Sequence, residues 1–157
     1  MSIGGNWLKQ RFRSFHRAIA LGILATVSVG CSEGTVSQCV RLIDIANAAA
    51  TEVETVTQSS TPDDTEAFLT IAETADQAAT DLGTLELSDA QLQTFKQRFI
   101  QLYQETGKAT RDLVAAVEAA DREAAEAAYA QLEAATSQEE PLVEEVNIYC
   151  RATPTEP

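Results

Sequence analysis

Apolar residues recur at alternating three- and four-residue spacings from about residue 37 to residue 150, and β-branched residues never alternate as they do in strands. This is the periodicity of helices that each bury one stripe. Four stripes follow one another. The first runs through Cys39, Leu42, Ala46, Ala49, Val53 and Val56, and the second through Phe68, Ile71, Ala75, Ala78 and Leu82. The third carries Leu92, Phe95, Phe99, Leu102, Thr106, Ala109, Leu113 and Ala116. The fourth carries Ala125, Ala128, Leu132, Ala135, Glu139, Leu142, Val146 and Tyr149. Alanine is abundant and glycine rare after Gly34, which favours helix throughout.

The breaks between stripes have turn chemistry. Ser59-Ser60-Thr61-Pro62-Asp63 predicts a turn with Thr61 as N-cap and Pro62 in the first helical position. Gly83 is the expected stop of the second helix, and Ser88-Asp89-Ala90-Gln91 reads as a capping box opening the third. Asp121 is the expected cap of the fourth. Pro141 should kink or interrupt that last helix, because its ring clashes with the preceding turn.

Heptad-like stripes joined by short links predict an all-α, antiparallel, up-down-up-down four-helix bundle over residues 37–150, with a disordered tail at 151–157. The many alanines on the stripes let helix axes approach closely, and Phe68, Phe95 and Phe99 are expected to form the bulky end of the core. In that topology the start of the first helix and the end of the fourth lie together. Cys39 and Cys150 occupy those two places, so a disulfide between them is expected, with two buried free thiols as the alternative. Such a bridge would close almost the whole domain, which the loop-entropy model values at roughly 4–5 kcal/mol.

Charge divides the chain differently. Residues 1–30 hold Lys9, Arg11, Arg13 and Arg17 and no acid, whereas the remainder holds seven basic and all twenty-four acidic residues, a net charge of −17. The basic stretch precedes an uncharged run of thirteen residues, Ala18–Gly30. A membrane-spanning helix needs about twenty. Short, basic at the front and small-residue at the end, residues 1–30 fit a secretory signal. Without an Arg-Arg pair the twin-arginine route has no support.

The end of that run, Val27-Ser28-Val29-Gly30-Cys31, resembles the lipobox of bacterial lipoproteins, with Ser28 where that family usually has a large aliphatic residue. The resemblance covers the first thirty-one residues and implies cleavage between Gly30 and Cys31 and a diacylglyceryl group on the Cys31 thiol. Ser28 and Gly30 also suit ordinary signal peptidase cleavage at the same bond, which would leave Cys31 unmodified. Three cysteines would leave an exported protein with an odd thiol; acylation of Cys31 removes it. Residues 31–36 would then be a short tether. The seven residues between Cys31 and Cys39 reach on the order of 25 Å when extended, which keeps the bundle close to the bilayer.

Candidate chemistry is sparse. The single histidine, His16, falls in the signal, as do the single Met1 and Trp7, so the mature part has no ordinary neutral-pH base and no His or Met ligand for haem, copper or zinc. No phosphate loop and no nucleophile elbow occurs. An enzyme is not expected, nor any cofactor or metal site. The acidity argues against nucleic acid as a partner. Glu139, Glu140, Glu144 and Glu145 crowd one stretch without the spacing of a calcium loop, and read as a solvated face with Glu139 on the apolar stripe. Lys96, Arg98, Lys108 and Arg111 concentrate positive charge on the third helix, as balance for acidic neighbours. Glu118–Arg122 and Arg122–Glu126 have helix-stabilising spacing. Asn47 and Asn147 are expected as register-fixing core groups, and Tyr103 and Tyr129 as core edges or contact points.

These observations favour a membrane-tethered, non-enzymatic bundle that serves as a structural, assembly or protein-interaction module for other envelope proteins, on the periplasmic or equivalent luminal side. In layout it resembles the small lipidated helical bundles that cyanobacteria attach to photosystem II. The rival is a periplasmic bundle that takes a small ligand between its helices. Alanine-lined stripes argue against that rival; a pocket near the phenylalanines would favour it.

Overall fold

The computed structural model describes residues 34–61 and 64–152, and these form a helical bundle with no strand among them. The helices are α1 (Thr35–Ser59), α2 (Thr65–Thr84), α3 (Ala90–Glu118), α4 (Arg122–Thr136) and α5 (Glu139–Ala152). The expected signal at 1–30, Cys31, Pro62 and the tail beyond Ala152 lie outside the described residues. Helix α1 begins at Thr35 and α5 runs to Ala152, two residues outside the 37–150 span on either side.

The fourth predicted helix is delivered as two, α4 and α5, separated at Ser137 and Gln138. The break falls one turn before Pro141, where the physics of proline places it. Pro141 has no N–H to offer the Ser137 carbonyl, and its ring needs the room that a continuing helix would take. Ser137 instead donates its N–H to Glu133 O and Gln138 to Ala135 O, so the last turn of α4 closes on itself.

The caps correct two expectations. Asp64, not Thr61, opens α2 by accepting from Ala67 N at 3.1 Å. Asp89, not Ser88, opens α3 by accepting from Leu92 N at 2.9 Å. In both places two polar candidates stand near each other, and aspartate, which also complements the helix dipole, takes the cap. Asp121 caps α4 as expected, accepting from Ala124 N. Gly83 is not the terminal residue of α2; the helix continues through Thr84. Helix α3 ends with Ala120 at φ 53°, the left-handed position usually held by glycine, while Asp121 N reaches back to Ala116 O. An alanine there costs about 1–2 kcal/mol.

Helix α3 is the axis of the bundle and packs against each of the other four. Its contact with α2 is close because Gly107 faces that helix. A Cβ there would stand 2.8 Å from Asp76 Oδ1 and 3.2 Å from the Ala72 carbonyl. Arg111 spans the same junction with a two-pronged ion pair to Asp76, at 2.7 and 3.2 Å.

The core is densest where α1 begins, α2 ends, α3 begins and α5 ends. Leu42, Leu82 and Leu92 are fully buried there, with Phe95, Phe99, Leu142 and Val146 around them. Phe95 meets Tyr149 edge-on with centroids 5.8 Å apart, and Phe99 stacks on Tyr103 at 6.0 Å. Phe68 is absent from this cluster. It is only half-buried, on the first turn of α2, so the three phenylalanines do not form one end of the core.

Cys39 and Cys150 are joined by a disulfide, with Cα atoms 5.9 Å apart and a sequence separation of 111. Beside it lies the main polar junction of the bundle. Gln38 is 2% exposed; its side-chain oxygen accepts from Ser88 N and Asp89 N, and its amide donates to Ser88 Oγ. Tyr149 donates to Asp89 Oδ2 at 2.9 Å. Desolvation pushes the Asp89 carboxyl up, but hydrogen bonds from Leu92 N, Tyr149, Gln91 N and Thr35 together outweigh it and hold the group below its ordinary range.

Candidate functional site

The other half of the bundle is filled differently. Helix α1 buries nothing after Ala49, and α4 buries only Ala128 and Ala135. Helix α4 packs on α3, so the second half of α1 faces it across space that alanines are too short to fill. A cleft of about 610 Å³ opens there, walled by Ala49, Val53, Phe68, Ile71, Leu102 and Leu132 among others. That volume lies within the range of small-molecule sites, roughly 300–1,000 Å³.

Its polar groups are few. The side chains of Thr57, Thr74, Thr110 and Thr136 reach the wall, but each donates its hydroxyl to the carbonyl four residues earlier in its own helix. Thr106 does not. Its hydroxyl is buried and hydrogen-bonds no group among the described residues, and the same holds for the Tyr103 hydroxyl. Tyr103 is 5% exposed and stands one helical turn before Thr106, so both project from one face of α3 into the cleft. A buried hydroxyl without a partner costs about 1–3 kcal/mol, so two in one cleft require an explanation. Stacking on Phe99 holds the Tyr103 ring in place.

Glu139 closes the cleft from the first turn of α5. Burial pushes its carboxyl above the ordinary range, and no described basic side chain pairs with it. Burial also drives the Tyr103 phenol up, and the nearby charge of Glu139 adds to that, so the phenol keeps its proton at physiological pH. Glu54 and Glu133 lie further along the rim, and none of the described residues lining the cleft is basic. Tyr129, 59% exposed, stands at the mouth.

The other residues singled out by sequence go elsewhere. Arg98 pairs with Glu145, Lys108 with Asp112 and Arg111 with Asp76, while Lys96 donates to the Leu85 carbonyl at 3.0 Å. The positive charge of α3 is therefore spent on neighbouring acids and one carbonyl. Arg122 pairs with Glu126 in α4, but Glu118 lies across the α3–α4 turn from Arg122, so those two do not share a helix. Asn47 is exposed and Asn147 half-buried; neither is the core polar group expected of them. Gln38 takes that role. It precedes the first residue of the apolar stripe, Cys39, and only its hydrogen-bond partners in the α2–α3 loop reveal its part.

Among the described residues no group of His, Cys, Asp or Glu is placed to hold a metal, and no helix is long and apolar enough to cross a membrane. No protein-family description, curated protein or solved structure matches this chain.

Proposed function

We propose that this chain is a membrane-tethered, non-enzymatic bundle that binds a small, largely apolar molecule in the cleft between α1, α2, α3 and α4. The observation that carries this reading is the pair of unpartnered hydroxyls, Tyr103 and Thr106, set in an apolar wall of suitable volume. Such a combination leaves polar groups unsatisfied in the free protein and satisfied in a complex. Binding of an apolar probe such as 1-decanol, followed by calorimetry, tests it. Ile71→Trp, which fills the cleft from α2, should abolish binding while leaving the melting temperature close to that of the parent. If the parent takes up no apolar probe, the reading falls.

The address belongs to the same proposal. Residues 1–30 direct export, cleavage follows Gly30, and lipid on Cys31 holds the protein at the membrane on its periplasmic or equivalent side. The helices run antiparallel, up-down-up-down, with α4 and α5 together as the fourth; the Cys39–Cys150 bridge and the Gln38–Ser88 contact support this order. Intact mass from the native membrane, without reductant, is the check. A chain beginning at Cys31, carrying acyl mass and two hydrogens light, is expected.

A second reading, a docking or assembly module for other envelope proteins, draws support from Val36 and Val40. They lie one turn apart on α1 at 36% and 51% exposure, next to the disulfide, and Ile148 on α5 is 61% exposed. Crosslinking from position 40 in the native membrane would identify such a partner.

A further inference from the structure

We propose that the ligand of the cleft is an apolar molecule with a primary ammonium head, held by Glu139, Tyr103 and Thr106. This rests on the reading of the cleft as a ligand site and names the chemistry it selects.

The walls set the body of the ligand. Phe68, Ile71, Leu102 and Leu132 offer carbon surface and no fixed hydrogen-bond pattern, which suits an alkyl or ring system. The head is set by charge. The ionisable groups facing the cleft are Glu54 from α1, Tyr103 from α3, Tyr129 and Glu133 from α4 and Glu139 from α5, while α2 contributes none. Three of the five are carboxylates, and no cation stands among them. A carboxylate or phosphate head would enter against this field without a counter-ion, at a cost that desolvation enlarges. A cationic head enters with it.

Glu139 supplies the most specific contact. Its carboxyl is half-buried at the apolar wall and has no basic partner among the described residues. Such a group remains desolvated without compensation until a cation arrives. Glu54, by contrast, already accepts from the Gln58 amide at 2.8 Å, and Glu133 is exposed to water. The hydroxyl oxygens of Tyr103 and Thr106 complete the match. With Glu139 they present three acceptors, and a primary ammonium carries three N–H donors and no acceptor.

Three probes with the same ten-carbon chain separate the possibilities: decylammonium, 1-decanol and decanoate, each titrated calorimetrically below its solubility or micelle limit. A charge-assisted contact at a partly solvated carboxylate should make decylammonium bind roughly tenfold tighter than decanol, with decanoate the weakest. Glu139→Gln should bring decylammonium to the level at which the parent binds decanol. The substitution keeps the shape of a half-exposed helix-terminal side chain, and a melting temperature no lower than that of the parent verifies the fold. Equal binding of decylammonium and decanol overturns the ammonium head and leaves the apolar cleft standing. A preference for decylammonium that survives Glu139→Gln overturns this site, since the acidic surface alone would then account for it. Failure of all three probes removes the ligand reading together with the proposal.

Discussion

The two halves of this bundle are built from the same alanine-rich stripes and reach opposite outcomes. Around the disulfide, the stripes supply Leu42, Leu82, Leu92, Phe95, Phe99, Leu142 and Val146, and the space between helices closes. Toward the Pro141 break they supply Ala49, Val53, Ala75, Ala128 and Ala135, and a cleft of about 610 Å³ remains. Polar groups divide in the same way. Gln38 and Asp89, at the closed half, have their acceptors filled; Tyr103 and Thr106, at the open half, donate to nothing described. One half therefore carries stability and the other carries an unfilled need. The closed half has little latitude to change, whereas the open half can give up stability for binding.

The largest test of this division is the bridge. Replacing Cys39 and Cys150 together by serine should cost roughly 4–5 kcal/mol in the chain-entropy description of so long a loop, read as a shift of the urea midpoint. A loss below about 1 kcal/mol would mean that packing alone holds the closed half. Next in size is a matched pair of truncations. Leu42→Ala should cost about 3 kcal/mol, since a fully buried leucine leaves a cavity in a rigid surround. Leu132→Ala, on the wall of the cleft, should cost less than about 1 kcal/mol. Similar costs at both positions would erase the contrast between the halves.

Tyr103→Phe comes third and should act with the opposite sign. Removing a buried hydroxyl that has no partner should raise stability by about 1 kcal/mol while weakening ligand binding. A destabilised Tyr103→Phe protein would show that the hydroxyl is already satisfied.

The smallest effects are in the pH dependence, where the halves should respond in opposite directions. Glu139 titrates above its ordinary 4.5 in the folded state, so its contribution is present below that value and is lost as pH rises through the folded value. Asp89 titrates below its ordinary 3.8, so its contribution is present above that value and is lost as pH falls through the folded value. Denaturation curves across pH 3–7 should show Glu139→Gln removing a decline on the alkaline side and Asp89→Asn removing one on the acid side. Unchanged profiles in both variants would place the two carboxyls in ordinary solvated surroundings.

Much of the architecture was legible in the residues alone. A three-four spacing forces an amphipathic helix whatever its neighbours, so Leu42, Phe95 and Val146 could be placed in a core without knowing what they touch. The pairing of Cys39 with Cys150 followed from where helix ends must meet, and the interruption of the last helix followed from the covalent geometry of Pro141. These are local or topological constraints, written in backbone chemistry and period. Which of two adjacent polar residues caps a helix was not legible, because Ser88 is drawn off by Gln38, a residue fifty positions away. Nor was the cleft. Alanines on a stripe argue for close axes, and beside Gly107 they deliver that; opposite α4 the same alanines leave a void. Whether a small side chain draws two helices together or leaves a gap depends on the path of a third helix, and that path is set by packing across the whole bundle. Thr106 and Glu139 were visible as residues of the third and fourth stripes, and Tyr103 as a core edge or contact point. Only the tertiary structure decided that two hydroxyl-bearing side chains and a carboxylate would line one apolar cleft.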